Sequence, residues 1–248
     1  ALRRNTGRVL EPSCGDGAFL RHLPGAVGLE LDPDHCPPGA QAIDFFAYPE
    51  REQFDTIIGN PPYASIGDSA DFLSLNKRFE TFQAAPKPTS DMYPLFVEQM
   101  TRLTAPDAHG GAMVLPLSLA SNTSRQFLAL RRLLASTPGH WQFAFFDREP
   151  HALFGEDVKT RNAIALWVRQ GCESDVRIST GPLRKWRGGD RARMLAGINF
   201  TPINADIRLG IPKLEGATQS EVLAHLVELR YTLAHAAQHI GRATLGQA

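Results

Sequence analysis

The sequence predicts an α/β fold built on a mostly parallel sheet. Three observations carry the prediction. Short apolar runs alternate with stretches of helical period, the pattern of a parallel sheet flanked by helices. The first apolar run ends in a carboxylate and a glycine-bearing turn, Glu11-Pro12-Ser13-Cys14-Gly15-Asp16-Gly17. A later run, Asp55-Thr56-Ile57-Ile58-Gly59, ends abruptly in Asn60-Pro61-Pro62-Tyr63.

Taken in order, Arg8 to Glu11 reads as the first strand, and a helix is expected to start near Ala18. Ala26 to Leu31, Ala42 to Phe46 and Phe54 to Gly59 read as the next three strands. Residues 64 to 90 are polar and proline-spotted without a clear period, so they read as a long loop, a feature that is usually functional or disordered. Asp91 reads as the N-cap of a helix from Tyr93 to Leu103. A fifth strand follows from Gly111 to Leu119, a helix from Arg125 to Leu134, and two more strands from Trp141 to Phe146 and Ala163 to Val168, joined by a long loop. That makes seven strands. After Gln170 the character changes, which places a domain of residues 1–170 before an extension of residues 171–248. In the extension, Arg177, Arg184, Lys185, Arg187, Arg191 and Arg193 cluster around Trp186. Thr218-Gln219-Ser220-Glu221 then reads as a capping box for a helix whose stripe is Val222, Leu226, Leu229, Leu233, Ala236 and Ile240.

Bulk properties bound the function. The 248 residues are 43% hydrophobic, enough for a sizeable core. Lys+Arg and Asp+Glu both number 26, so any surface for nucleic acid must be local. Cys14, Cys36 and Cys172 are far apart and form no CxxC, which points away from a disulfide framework and a zinc cluster and toward a reducing, cytoplasmic setting. No apolar run is long enough to span a membrane and no signal peptide is visible. The chain opens at Ala1, with no Met, directly before a strand, so a segment upstream is expected to have been removed or to be disordered.

Asn60-Pro61-Pro62-Tyr63 carries the clearest chemistry. Two prolines remove two backbone donors and stiffen the turn, leaving acceptors without internal partners. The Asn60 side-chain oxygen and the Pro61 carbonyl can then both accept from one NH2 group. The lone pair of an aryl amine is delocalised into its ring. Two fixed acceptors draw the nitrogen toward tetrahedral geometry and localise that pair, a form of electrostatic preorganisation. Tyr63 adds a face on which a flat base can stack. An ordinary Asn-Pro turn after a strand is the alternative. The glycines at 15 and 17 let the backbone approach a ligand closely. The run lacks the third glycine of GxGxxG, so it suits a nucleoside without phosphates better, or else a plain strand-to-helix turn. Glu30 ends the second strand, where a carboxylate can accept both ribose hydroxyls. Asp44 could accept from an adenine amino group while Phe45 packs on its ring.

These pieces, in this order and spacing, resemble the gamma group of adenine-specific DNA methyltransferases over about Arg8 to Val168. The resemblance implies a Rossmann-like class I S-adenosylmethionine-dependent fold, its last strand antiparallel. It implies that Glu11, Gly15 and Gly17 surround the methionine part of S-adenosylmethionine, that Glu30 holds its ribose, and that Asp44 with Phe45 holds its adenine. Phe96 lines the same pocket, and Pro12, Leu31 and Asn60 complete the cofactor set. Asn60, Pro61, Pro62 and Tyr63 match the catalytic motif, and the substrate implied is adenine flipped out of double-stranded DNA. A late aromatic of the family stacks on that base. Phe154 is the first choice, and Phe145 and Phe146 are competitors. Val158-Lys159-Thr160-Arg161-Asn162 and Ile211-Pro212-Lys213 look like the larger restriction–modification enzymes, in which a target-recognition domain or restriction subunit accompanies the catalytic domain. The chain ends at Ala248, too early to hold that domain, and the family's segment before the first motif is reduced to Ala1–Asn5. A bacterial or phage setting follows.

Weaker features carry two readings each. Lys159, Arg184, Lys185 and Arg187 could hold DNA phosphates or form a solvated basic loop. His235 and His239 have metal-compatible spacing but no third ligand in view, so a solvent-facing pair is expected and no metal. Two rival functions share parts of the pattern. Protein glutamine methyltransferases also use Asn-Pro-Pro-Tyr, because an amide nitrogen has the same lone-pair problem. A non-catalytic subunit with this fold would bind DNA or a partner only.

Overall fold

In the computed structural model, which describes residues 7–67, 72–153, 160–169, 171, 174–185 and 191–228, the described strands form one sheet. They are β1 (Val9–Glu11), β2 (Val27–Glu30), β3 (Gln41–Ala42), β4 (Thr56–Gly59), β5 (Gly110–Pro116), β6 (Gly139–Phe146), β7 (Asn162–Val168), β8 (Val176–Arg184) and β9 (Thr201–Pro202). Their order is β3-β2-β1-β4-β5-β7-β6-β8-β9. The first five positions are parallel throughout, and β7 is antiparallel to both β5 and β6. The expected α/β sheet with an antiparallel seventh strand is thus present. Two further strands extend it, β8 parallel to β6 and β9 antiparallel to β8. The boundary drawn at residue 170 falls between β7 and β8, and the sheet continues across it.

The α-helices among the described residues are α1 (Phe72–Arg78), α2 (Glu80–Gln83), α3 (Tyr93–Leu103), α4 (Ser118–Ser121), α5 (Arg125–Ser136), α6 (Arg191–Ala196) and α7 (Ala217–Glu228). Phe127, Leu130 and Leu134 of α5 are buried at helical spacing. In β6 the period is two: Trp141, Phe143 and Phe145 form a row of near-parallel rings, and Trp141 stacks on Trp167 of β7 at 5.2 Å.

Several expected elements come out differently, each for a local reason. The helix near Ala18 is a single 3-10 turn, Leu20–His22, because Pro24 and the left-handed Gly25 stop it. The third strand is only Gln41–Ala42. Asp44 Oδ1 accepts from the Phe46 N–H at 2.9 Å, which caps a 3-10 turn over Phe45–Ala47 in place of a longer ladder. The fifth strand stops at Pro116, which has no N–H to donate, and α4 occupies Ser118–Ser121. Within 64–90, α1 and α2 replace the expected loop: Leu75, Phe79 and Phe82 are buried, and Phe72 packs edge-on against Phe82 at 4.8 Å. Asp91 does not cap α3. The cap position is Met92, in helical conformation, while the Asp91 backbone N–H and C=O are both bonded to the Gln126 amide. The Thr218–Glu221 capping box is not formed either. Helix α7 starts at Ala217, Gln219 Oε1 accepts from the Glu215 N–H at 2.8 Å, and Ser220 donates to the Pro202 carbonyl. Val222 and Leu226 are exposed, and the rest of that stripe, with His235 and His239, lies outside the described residues.

The helices after β4 brace the turn after β3. Arg78 donates to the Phe46 carbonyl at 2.6 Å, and Glu50 lies between Arg78 and Arg102 at 3.7 and 3.6 Å. Both guanidiniums face the Phe79 ring. Buried Glu98 organises this corner. It accepts from the N–H groups of Glu80 and Thr81, from the Thr81 hydroxyl and from Arg102, satisfying amides at the start of α2 that have no partner within the helix. Glu98→Ala should strand those donors and the Arg102 charge, lowering stability by about 3–5 kcal/mol, the usual result of breaking a buried charged network. Urea unfolding followed by tryptophan fluorescence should show a lower midpoint at unchanged slope.

Candidate active site

A cleft of about 460 Å³ opens at the carboxyl ends of the parallel strands, within the size range of small-ligand sites. Pro12, Gly15, Glu30, Leu31, Asp44, Phe45, Asn60, Pro62 and Phe96 all line it. Those nine residues come from five separate parts of the sequence, and each is singled out there. Ser13, Asp32, Phe46, Ile66, Leu75 and Met92 line it as well and were not among the expected site residues. Glu11, Gly17, Pro61 and Tyr63 are not among the residues that line it.

The turns after β1, β2 and β4 are joined to one another. Glu30 Oε2 accepts from the Gly15 N–H at 2.8 Å, and Oε1 accepts from the Asp32 N–H at 3.1 Å. Gly15 has φ +51°, a conformation that favours glycine. The Ser13 hydroxyl donates to the Asn60 carbonyl at 3.2 Å, linking the first turn to the Asn-Pro-Pro-Tyr turn. Gly59 lets Pro12 pass: a Cβ there would lie 3.0 Å from the proline Cδ. Phe96 packs against Phe45 and Phe46 at 5.0 Å between ring centres, giving the cleft an aromatic wall. The segment 64–67 is held beside 88–92 by bonds from Ile66 to Ser90 and from Met92 to Ala64.

Asn60 is exposed, and its Oδ1 accepts from the Tyr63 hydroxyl at 2.9 Å. That hydroxyl accepts in turn from Asn162 Nδ2 at 3.1 Å. Burial pushes the Tyr63 phenol up to about 12, against a smaller downward effect of the Asn162 hydrogen bond, so it is neutral at ordinary pH. Asn162 was visible in the sequence only as part of a family-like stretch; no local spacing ties it to Tyr63.

Glu11 is 3% exposed, and its Oε2 has no hydrogen-bond partner among the described residues. Burial pushes its carboxyl up to about 7, the Leu20 N–H opposes this, and the Asp16 charge adds to it. An orphaned buried carboxylate beside the first glycine turn suits a cationic ligand group. S-adenosylmethionine fits this set of donors and acceptors: an ammonium for Glu11, ribose hydroxyls for Glu30, and a flat base against Phe45 and Asp44.

Other expected contacts are placed less favourably. Phe145 and Phe146 are buried in β6, so neither is available to stack on a base. Arg184 donates to the Gly197 carbonyl at 3.4 Å. Lys185 is exposed and lies 3.7 Å from Asp147, which also accepts from Arg161 at 2.8 Å. Burial pushes the Asp147 carboxyl up, but the hydrogen bonds from Arg161 and the Arg148 N–H and the nearby positive charges outweigh it and hold it below the usual carboxylate range. Phe154, Lys159 and Arg187 lie outside the described residues. Among the described residues there is no cluster able to hold a metal ion, no helix long and apolar enough to cross a membrane, and Cys14 and Cys36 are free thiols.

Residues 38–148 match the Eco57I restriction-modification methylase family. The type II methyltransferase M.TthHB8I of Thermus thermophilus is 32% identical over 203 residues, which are 73% of this chain and 47% of that protein. A cryo-electron microscopy structure of a DrdV–DNA complex matches 82% of this chain and 28% of its own, with TM-score 0.62 and 15% identity. A class I S-adenosylmethionine-dependent methyltransferase structure from Listeria monocytogenes matches 76% of this chain and 62% of its own, with TM-score 0.53 and 17% identity. The chain spans less than half the length of the curated relatives it matches. Its fold is that of the class I S-adenosylmethionine-dependent methyltransferases.

The state of Glu11 gives a pH test. A ligand ammonium needs the ionised carboxylate, and Glu11 ionises only as pH rises through about 7. Affinity for S-adenosylmethionine, measured by calorimetry, should fall about tenfold for each unit below that point. Glu11→Gln should weaken binding and remove the slope. The folded-state pKa lies above the unfolded value of 4.5, so the ligand-free protein should lose stability as pH rises from 4.5 to about 7.

Proposed function

We propose that this chain methylates the N6 amino group of adenine in double-stranded DNA; its similarity to the Eco57I restriction-modification methylases and to M.TthHB8I supports the reading. The observation that carries the reading is the sharing of one cleft by Asn60 and Pro62 with Glu30, Asp44 and Phe45. The acceptor turn and the nucleoside-binding carboxylates therefore face the same space.

Bound S-adenosylmethionine supplies an electrophilic methyl group. Glu11 pairs with its ammonium, Glu30 accepts from its ribose hydroxyls, and Asp44 with Phe45 and Phe96 holds its adenine. The target adenine leaves the duplex, at a cost of about a few kcal/mol for unstacking and unpairing. Its ring stacks on Tyr63, with Phe154 as the proposed opposite face. Asn60 Oδ1 and the Pro61 carbonyl accept from its amino group and localise the nitrogen lone pair. The Tyr63 phenol keeps its proton and takes no part as a base. The methylated amine becomes acidic, so water can remove the proton, and positioning does most of the catalysis. Lys185, with Lys159 and Arg187, holds DNA phosphates; Arg184 takes a lesser part because its guanidinium is bonded within the chain. Sequence specificity comes from a target-recognition domain or a partner subunit, and the setting is the bacterial or phage-infected cytoplasm. The DNA complex among the similar structures is that of DrdV, and DNA comes to this chain by analogy.

Asn60→Ala tests the reading. The acceptor acts mainly as the nitrogen becomes tetrahedral, so kcat should fall by about two to three decades, as on loss of one oxyanion-hole contact. Cofactor affinity should stay within twofold of wild type, that is, within about 0.4 kcal/mol. The assay is methyl transfer to adenine-containing DNA by the full-length protein, with N6-methyladenine identified by mass spectrometry. Wild-type turnover in the variant would refute the role of Asn60. Methyl label confined to protein would point to a glutamine amide as the substrate.

A further inference from the structure

Two side-chain amides, those of Asn60 and Asn162, fix the hydroxyl of Tyr63. The oxygen accepts from Asn162 Nδ2 at 3.1 Å, and the proton goes to Asn60 Oδ1 at 2.9 Å. Asn162 is 1% exposed and opens β7. Its backbone is held on both sides, paired with Pro116 of β5 and with Phe146 of β6. The preceding residue is pinned too: the Arg161 carbonyl accepts from the Leu117 N–H at 2.8 Å, and its guanidinium donates to Asp147.

A phenol has one proton to give. With Asn162 donating to the oxygen, that proton is directed at Asn60, and only an oxygen can receive it. The exposed Asn60 amide would otherwise turn freely and present Nδ2, a donor, to a donating amino group. The buried amide therefore sets the polarity of an exposed one that is distant in sequence, through a single hydroxyl.

We propose that Asn162 is a positioning residue for methyl transfer, which through the Tyr63 hydroxyl holds Asn60 with Oδ1 available to the amino group being methylated. One lone pair of Oδ1 takes the Tyr63 proton and the other remains for the substrate. This rests on the adenine-amine reading of the same turn.

The sharpest variants change the polarity of the relay. Asn162→Leu removes the donor; kcat should fall about tenfold, the effect of losing the orientation of one acceptor. Asn162→Asp replaces the donor by an acceptor, draws the Tyr63 proton away from Asn60 and turns the Asn60 amide over. It should cost about a further tenfold, equal to one misdirected hydrogen bond. Tyr63→Phe keeps the ring and removes the relay, so Tyr63→Phe combined with Asn162→Leu should be no slower than Tyr63→Phe alone. KM for DNA and cofactor affinity should stay unchanged for Asn162→Leu. Wild-type kcat in Asn162→Leu, or multiplied effects in the double variant, would overturn the proposal. A second readout needs no activity: the Asn60 side-chain amide signals in ¹⁵N NMR, assigned by their loss in Asn60→Asp. They should move in Asn162→Leu as they do in Tyr63→Phe, and unmoved signals would overturn the relay. Failure of the wild-type protein to methylate DNA would instead refute the adenine reading, with the NMR comparison still deciding the relay.

Discussion

The Glu30 carboxylate holds the cleft together. It receives the Gly15 N–H on one oxygen and the Asp32 N–H on the other, and so ties the turn after β1 to the turn after β2. Hydrogen bonds to an ionised acceptor are among the stronger ones in proteins. Gly15 reaches its position only through a left-handed backbone. With the first turn fixed, Ser13 reaches across to the Asn60 carbonyl, and the acceptor turn after β4 joins the same frame. The parallel sheet brings the three turns to one edge; these few bonds set their relative positions.

The frame is braced on one side and left unsatisfied on another. Glu98 closes the start of α2, and Arg78, Arg102 and Glu50 lock the helices onto the turn at Phe46. Every donor around Glu98 has a use there. Glu11 is the opposite case, a buried carboxylate with one oxygen unpartnered. A stranded buried polar group costs about 1–3 kcal/mol. Local rules fail mainly where function requires it, and a cationic ligand group is the partner that would repair this failure.

Much of this was legible in the sequence, for reasons that differ by residue. Strands β1, β2 and β4 are short apolar runs that end in special residues, so both their bounds and the cleft-lining residues at their ends could be read. Glu30, Asp44 and Asn60 are each the first polar residue past such a run, which puts them at the sheet edge. Helix α1 was missed because prolines and polar residues around it mask a helical spacing of Phe72, Leu75, Phe79 and Phe82, all of which pack inward or on one another. Strand β8 was obscured by its arginines: an outer strand tolerates charge, and its basic residues read as a solvated loop. Asn162 had no local signal, because its partner Tyr63 is 99 residues away and the contact exists only once β7 lies beside β5. Asp91 shows the opposite error. Its position before a helix matches the capping pattern, but a long-range partner, Gln126, holds its backbone instead.

The central claim is that the cleft at the ends of β1, β2 and β4 brings the methyl donor beside Asn60. The most direct measurement is a crystal structure with sinefungin, which carries an amine in place of the transferable methyl. The account predicts the sugar hydroxyls on Glu30, the ammonium on Glu11, and that amine within roughly 4–6 Å of Asn60 Oδ1. That range follows from one reacting contact and one hydrogen bond in sequence. Binding elsewhere, such as the open groove between α2 and α5 lined by Glu80, Arg132 and Arg208, would contradict it. So would a ligand in the cleft with its amine directed away from Asn60.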